Sequence, residues 1–182
     1  QNFPVLDLGV KPEIPSERWE LKIGGHVENP VTLSWDAFLA LQQSKDVSDF
    51  HCVTTWSQFD MRWQGVAFFT LMEYVRPKPS ATHVYFKSYD GYSTNNPLSV
   101  CLDDDVLIAH SWNGKPLPKE HGGPARVILP KRYAWKGAKW IREMLKRHAK
   151  DPVSDVTTLD ELKDYFAEEG VPLNLSNIVQ NI

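Results

Sequence analysis

A single α+β domain with more strand than helix is what this chain predicts, on three observations. Its 182 residues, 42% of them apolar, suffice for one sizeable core. Short apolar runs alternate with period two and are cut at Gly, Pro and Asn, as strands and hairpins are. Helical stripes with a cap or a stop are fewer and short.

Residues 1–18 hold Pro4, Pro12 and Pro15 and no clear period, so an extended arm laid over the domain is expected. Trp19 to Ile23 alternates and ends at Gly24-Gly25, and a second short strand follows Pro30. Ser34 is placed to cap a helix to about Leu41, with Trp35, Phe38, Leu39 and Leu41 as its buried stripe. Phe68 to Tyr74 reads as a short apolar helix stopped ahead of Pro77. His83 to Tyr89 reads as a strand. It leads into Asp90–Asn95, either a well-capped turn or a wall of a ligand pocket.

Leu98 to Leu102 is expected as another strand, with Cys101 structural. Asp103-Asp104-Asp105 reads as a solvated turn, since three adjacent acids without further oxygen ligands make a poor calcium loop. Asn113-Gly114 marks a hairpin after a strand carrying His110 and Trp112. From Trp140 to Lys150 the pattern fits a helix or a strand start followed by loop. Thr158 with Glu161 forms a capping box, Leu159, Leu162, Tyr165 and Phe166 share a face, and Gly170 is a stop. The expected division is an arm at 1–18, the domain proper at 19–150, and a docked helix and tail at 151–182.

A net charge of −3 conceals an asymmetry. Nine Lys and Arg lie between Arg126 and Lys150, with Glu143 the only acid among them. Such a block marks an anion partner, or, for the part after Arg142, a solvated basic face. Neither G-x-x-x-x-G-K-[ST] nor G-x-G-x-x-G occurs, so the usual nucleotide loops are not what hold the anion. No nucleic-acid module pattern fits, and nucleic acid is not expected as a partner. No apolar run approaches a membrane span, so no transmembrane segment is expected. The sequence opens at Gln1 without a signal peptide. A cytoplasmic location is expected, with a periplasmic one as the alternative if Gln1 is a processed terminus.

Three stretches carry chemistry. Asp49-Phe50-His51-Cys52-Val53-Thr54-Thr55-Trp56-Ser57 sets a sulfur among polar donors and large rings, which suits a metal or redox centre. An inert buried thiol is the plainer alternative, as is a Cys52–Cys101 bridge that would consume the sulfur. His121-Gly122-Gly123-Pro124-Ala125-Arg126 has a glycine pair through which main-chain amides can approach a ligand, with a permanently charged fork after it. Tyr133 to Ile141 holds a small-residue turn flanked by Lys136 and Lys139, again able to wrap an anion. Seven Trp, six Tyr and eight Phe supply rings for the walls of a planar ligand site, or for an ordinary strand-rich core.

Taken together and in order, these stretches resemble the small members of the sulfite-oxidase-like, molybdopterin-dependent oxidoreductases. The resemblance covers roughly residues 3–142. It runs through Phe3-Pro4-Val5-Leu6, Trp19 with Gly24-Gly25, and Leu33-Ser34-Trp35-Asp36. It continues in Asp49–Val53, Arg62-Trp63, Gly91–Asn95, His121–Pro124 with Arg126, and Arg132–Lys136 with Lys139-Trp140. It implies the sulfite oxidase fold, in one domain without haem, and a molybdenum-molybdopterin cofactor, tungsten being the alternative metal. It implies that Cys52 is the protein sulfur on the metal and that His121 and Arg126 bind the phosphate. Gly137-Ala138-Lys139, with Lys136 beside it, would grip the terminal phosphate. Phe3, Val5 and Leu6 of the arm would lie over the pterin.

Arg62 is the cation nearest Cys52 in sequence and is taken with it as catalytic. Two-electron or oxygen-atom transfer follows from the resemblance, with an unidentified electron donor or acceptor. A sulfoxide-type or other small-molecule substrate is preferred to sulfite, because a sulfite dianion needs several cations and only Arg62 lies close in sequence. The alternative is a non-catalytic binding or electron-relay domain on the same fold. The chain departs from the pattern at Ala134-Trp135, where some relatives have glycine before an aromatic, and again after Lys146.

Overall fold

The computed structural model describes residues 3–147; the expected tail helix lies outside the described residues. Two five-stranded sheets organise them. In the first sheet β1 (Glu20–Gly25) lies between β2 (Val31–Ser34) and β10 (Ile141–Arg147), with β5 (His83–Ser88) and β6 (Ser93–Pro97) beyond. All its pairs are antiparallel except β1 with β10. The second runs β3 (Gln43–His51), β4 (Ser57–Ala67), β7 (Leu107–Trp112), β8 (Lys115–Pro116), with β9 (Arg126–Ile128) also on β7.

The helices are short. In α1 (Trp35–Ala40) the Ser34 hydroxyl accepts from Ala37 N–H at 3.3 Å, the expected cap. Only Phe38 of its expected stripe is fully buried, and Leu39 points to solvent at 39% exposure. Six residues make under two turns, so one side chain dominates the buried face. The second helix, α2 (Phe68–Val75), ends at Arg76 in the left-handed region (φ 49°), one residue before Pro77.

Leu98 to Leu102 is not a strand. It forms α3 (Leu98–Cys101), because β6 closes at Pro97, whose fixed φ of −55° suits a helix start, and Cys101 then turns inward. Trp140 to Lys150 resolves as strand over its described part. A register shift between Ile141 and Glu143 puts the buried Ile141 and Met144 three residues apart, which imitates a helical spacing.

The apolar core sits between the sheets, drawing on Leu21 and Ile23 of β1, Phe86 of β5, Ile108 of β7 and Met144 of β10. Because side chains alternate along a strand, the neighbours of Ile108 face the other way. Leu107 and Ala109 join Phe50, Met61, Trp63 and Ile128 in a second cluster on the far face of the second sheet. That cluster forms the floor of the site described next.

Candidate active site

Cys52 follows directly on β3, in the loop that turns into β4. The turn is closed by Cys52 N–H donating to Trp56 O (3.0 Å) and Thr55 N–H donating to Cys52 O (3.1 Å). Cys52 is 5% exposed, and the Thr54 hydroxyl donates to its sulfur at 3.1 Å. Both cysteines are free, so the bridge alternative does not occur; Cys101 is buried in the main core.

The two anion-competent turns meet across this sulfur. His121 ends a one-turn 3-10 helix (Lys119–His121) that Gly122 terminates at φ 106°, a conformation open to glycine. A side chain at Gly122 would also press on Arg126 and Lys139, whose carbons lie 3.0–3.1 Å from where its Cβ would sit. Arg126 opens β9 and is buried. Its Nη1 donates to His121 O (2.9 Å) and its Nη2 to Gly137 O (3.4 Å), so one guanidinium braces both turns. The guanidinium carbon stands 4.9 Å from the Phe50 ring centroid, a cation–π contact. Lys139 Nζ donates to Glu120 O at 3.0 Å and lies over the Trp140 ring.

The electrostatics follow from this crowding. Burial, with Arg126 and Lys139 nearby, lowers His121 to about 4, so its ring is neutral at pH 7. Burial first and Arg126 second lower Lys139 to about 7. Burial alone draws Arg126 down from the usual guanidinium range, where it still keeps its charge at neutral pH. Asp90 is pushed up by burial, although its carboxylate accepts from Tyr92 N–H.

Cys52, His121, Arg126 and Lys139 line one cavity of about 130 Å³, walled by rings that include Phe50, Trp56 and Trp140. The arm enters it: Phe3 stacks on His121 (centroids 4.1 Å apart, planes at 8°) and touches Phe50, Trp56 and Trp112 edge-on. Among the expected cofactor residues Phe3, Leu6 and Gly137 also line it. Val5 and Ala138 do not; Ala138 is buried in the main core, where its carbonyl accepts from Val127 N–H. The Asp90 loop is both a capped turn and a wall, since Asp90 and Tyr92 line the cavity.

A second cavity of about 620 Å³ shares Cys52 and Trp135 with the first. Lys136 belongs here, its Nζ donating to Asn95 O at 3.1 Å. Arg62 lines neither cavity. It lies exposed on β4, pinned through its main chain to Asn113 in the β7–β8 turn, so the expected pairing of Arg62 with Cys52 is not what the structure brings together. Period two explains this, because Arg62 alternates with the buried Met61 and Trp63. Sequence reasoning missed Phe50 and Trp56 as ring walls, two before and four after the sulfur, and Arg132 of the second cavity, eighty positions away in the chain.

The donor set suits a planar ligand with a phosphate and a soft metal. Rings form the walls, and two fixed cations stand where an anion can lie. Arg126 Nε and Trp56 Nε1 are buried donors without a partner among the described residues. A single soft sulfur faces the same space. With Phe3 in place the cavity is smaller than the roughly 300 Å³ at which pockets for such ligands begin.

Fold and site together define a cofactor-binding oxidoreductase. Residues 8–153 match the family described as oxidoreductase molybdopterin binding domain, and the chain belongs to that family of molybdenum-dependent oxidoreductases. It is 39% identical over 142 residues to YuiH, an oxidoreductase of Bacillus subtilis, covering 78% of this chain and 72% of YuiH. It is 29% identical over 144 residues to the protein-methionine-sulfoxide reductase catalytic subunit MsrP of Gluconobacter oxydans, covering 69% of this chain and 46% of MsrP. The sulfane dehydrogenase SoxCD of Paracoccus pantotrophus has a similar fold, with a TM-score of 0.71 at 22% identity over 82% of this chain and 45% of that one. The chain thus spans less than half of the last two.

Proposed function

We propose that the chain binds molybdopterin in the ring-walled cavity with Cys52 as the one protein sulfur on the metal, and that it reduces an oxide of the sulfoxide type. When bound, the cofactor supplies two-electron and oxygen-atom chemistry that no side chain offers. The residues do the rest. Thr54 orients Sγ through its hydroxyl. Arg126 and Lys139 neutralise the phosphate, aided by the neutral ring of His121, which can donate one N–H. Phe50, Trp56 and Trp140 keep water from the buried part of the ligand. Phe3 and Leu6 close the cavity from the arm.

One observation carries this reading. Residues 52, 121, 126 and 139 come from three separate loops and still converge on one apolar cavity, with the sulfur and the anion cradle facing the same space. The preference for sulfoxide-type reduction is supported by likeness to MsrP, whose name states that activity. Molybdenum analysis of protein from a cofactor-competent host, with pterin fluorescence after oxidation, tests the first half. Turnover of a sulfoxide with a reduced viologen dye, against sulfite with a dye oxidant, tests the second. Absence of both metal and pterin from such protein would sink the assignment.

A further inference from the structure

We propose that the second cavity is the substrate chamber and that Arg132 anchors in it a negatively charged group of the substrate, so that the substrate is a sulfoxide carrying a carboxylate. This rests on the molybdopterin reading above. The cavity meets the ring-walled one at Cys52 and Trp135, which line both. Three basic side chains line it, Lys131, Arg132 and Lys136, and among the described residues no carboxylate does.

Two of those cations are engaged within the protein. Lys131 is ion-paired to Asp103 at 3.0 Å and to Asp105 at 3.4 Å. Lys136 gives its ammonium to Asn95, at the carbonyl (3.1 Å) and the side-chain oxygen (3.4 Å). Arg132 differs. Its main-chain N–H donates to Leu129 O, but its half-buried guanidinium makes no ion pair or hydrogen bond among the described residues. A guanidinium is a rigid fork of donors that matches a carboxylate with two parallel bonds. His51, which also lines the cavity, is held to Ser57 Oγ through Nδ1 at 2.8 Å.

Size and sign narrow the substrate. A bare triatomic or tetratomic oxyanion would leave most of about 620 Å³ empty. The volume suits an organic molecule, within the range of roughly 300–1,000 Å³ typical of ligand pockets. An ammonium group on that molecule would meet the Arg132 guanidinium and no lining carboxylate, so amino-blocked or purely acidic substrates are favoured over zwitterions. The reaction takes one sulfoxide, two electrons and two protons to one thioether and one water. The S–O bond breaks, sulfur is reduced, oxygen leaves as water, and in the assay the electrons come from the reduced viologen dye.

Two measurements decide it. In cofactor-free full-length protein, Cys52 is alkylated with iodoacetate or with the neutral iodoacetamide; each forms an S–C bond and releases iodide, and peptide mass mapping separates Cys52 from the core Cys101. The iodoacetate-to-iodoacetamide rate ratio, normalised to free cysteine, is expected to exceed one by roughly tenfold through the local field. Arg132→Gln should remove that preference and Arg132→Lys should keep part of it. In loaded enzyme, Arg132→Gln should raise KM about tenfold or more for a carboxylate-bearing sulfoxide, with kcat and the neutral methyl ester little changed and molybdenum content at wild-type level. A ratio unaffected by Arg132→Gln, a Cys52 that neither reagent modifies, or equal losses on acid and ester would overturn the proposal. Loaded protein that turns over neither compound would count against the functional reading, while the alkylation ratio would still decide the role of Arg132.

Discussion

On one side of Cys52 the cavity is narrow, walled by Phe50, Trp56 and Trp140, and its cations Arg126 and Lys139 are tied to the carbonyls of His121, Gly137 and Glu120. The second cavity at Cys52 is wider and polar, and Arg132 stands in it with its guanidinium unbonded among the described residues. The difference is between a site fixed in advance for a ligand that stays and one left adaptable for a ligand that exchanges. Cations braced by main chain lose little freedom when an anion arrives, which lowers the cost of binding. A cation that is free to move suits entry and release, because it commits nothing until the ligand is present.

This contrast can be broken at its hinge. Cys52→Ser should lower turnover by on the order of 10³ or more, since it removes the sulfur that, with Trp135, both cavities share. Bound pterin, read by fluorescence after oxidation, should stay near wild type because the phosphate contacts are separate. Unchanged turnover would remove Cys52 from the chemistry.

Arg126→Ala should act on the first cavity alone. Truncating a buried, hydrogen-bonded cation costs about 2–5 kcal/mol, so cofactor retention should fall roughly 100-fold. Equilibrium dialysis of the loaded protein followed by molybdenum analysis would measure it. Protein that loses activity but keeps its full complement of cofactor would contradict the assignment.

The pH dependence sharpens the same side. Lys139 is lowered to about 7, by burial and then by Arg126, while Asp7 and Asp90 pull it the other way. Its charge is present below that value and lost as pH rises through it. Binding of sulfate, which does not titrate there, to cofactor-free protein should therefore weaken above pH 7, by at most about tenfold per unit. The stability term has the opposite slope: between about 7 and the ordinary lysine value of 10.5 the unfolded chain holds the proton and the folded one does not. That contribution thus rises with pH across the window. Lys139→Met should abolish the step in a sulfate titration by calorimetry.

Phe3→Ala should have the smallest effect, a loss of about 1–2 kcal/mol for a half-buried ring with one stacked and three edge contacts. Melting should move down by a few degrees, while cofactor uptake by the empty protein becomes faster because the ring no longer fills the cavity. Slower uptake would show that the arm guides the ligand in.

Much of the first cavity was legible in the sequence and little of the second. Cys52, the glycine pair with Arg126, and the small turn before Lys139 each carry a local signature, a soft ligand or a backbone that must approach something closely. The second cavity has none. Arg132 sits in a block of nine basic residues where nothing local distinguishes it from the solvated ones, and only the fold brings it into one cavity with His51. Arg62 shows the converse error, because nearness in sequence along a strand is undone by alternation. β3 and β4, the two longest strands, were not foreseen. Their exposed faces and the register shift near Ser48 leave Gln43–His51 reading as a polar segment.

The order of the strands bears on how the protein is made. β10 fills the gap between β1 and β5, although its residues leave the ribosome after every other described strand. Until they emerge, the first sheet is two unjoined pieces. The nascent chain therefore meets the cell with two open sheet edges, on β1 and β5, that its own later residues close.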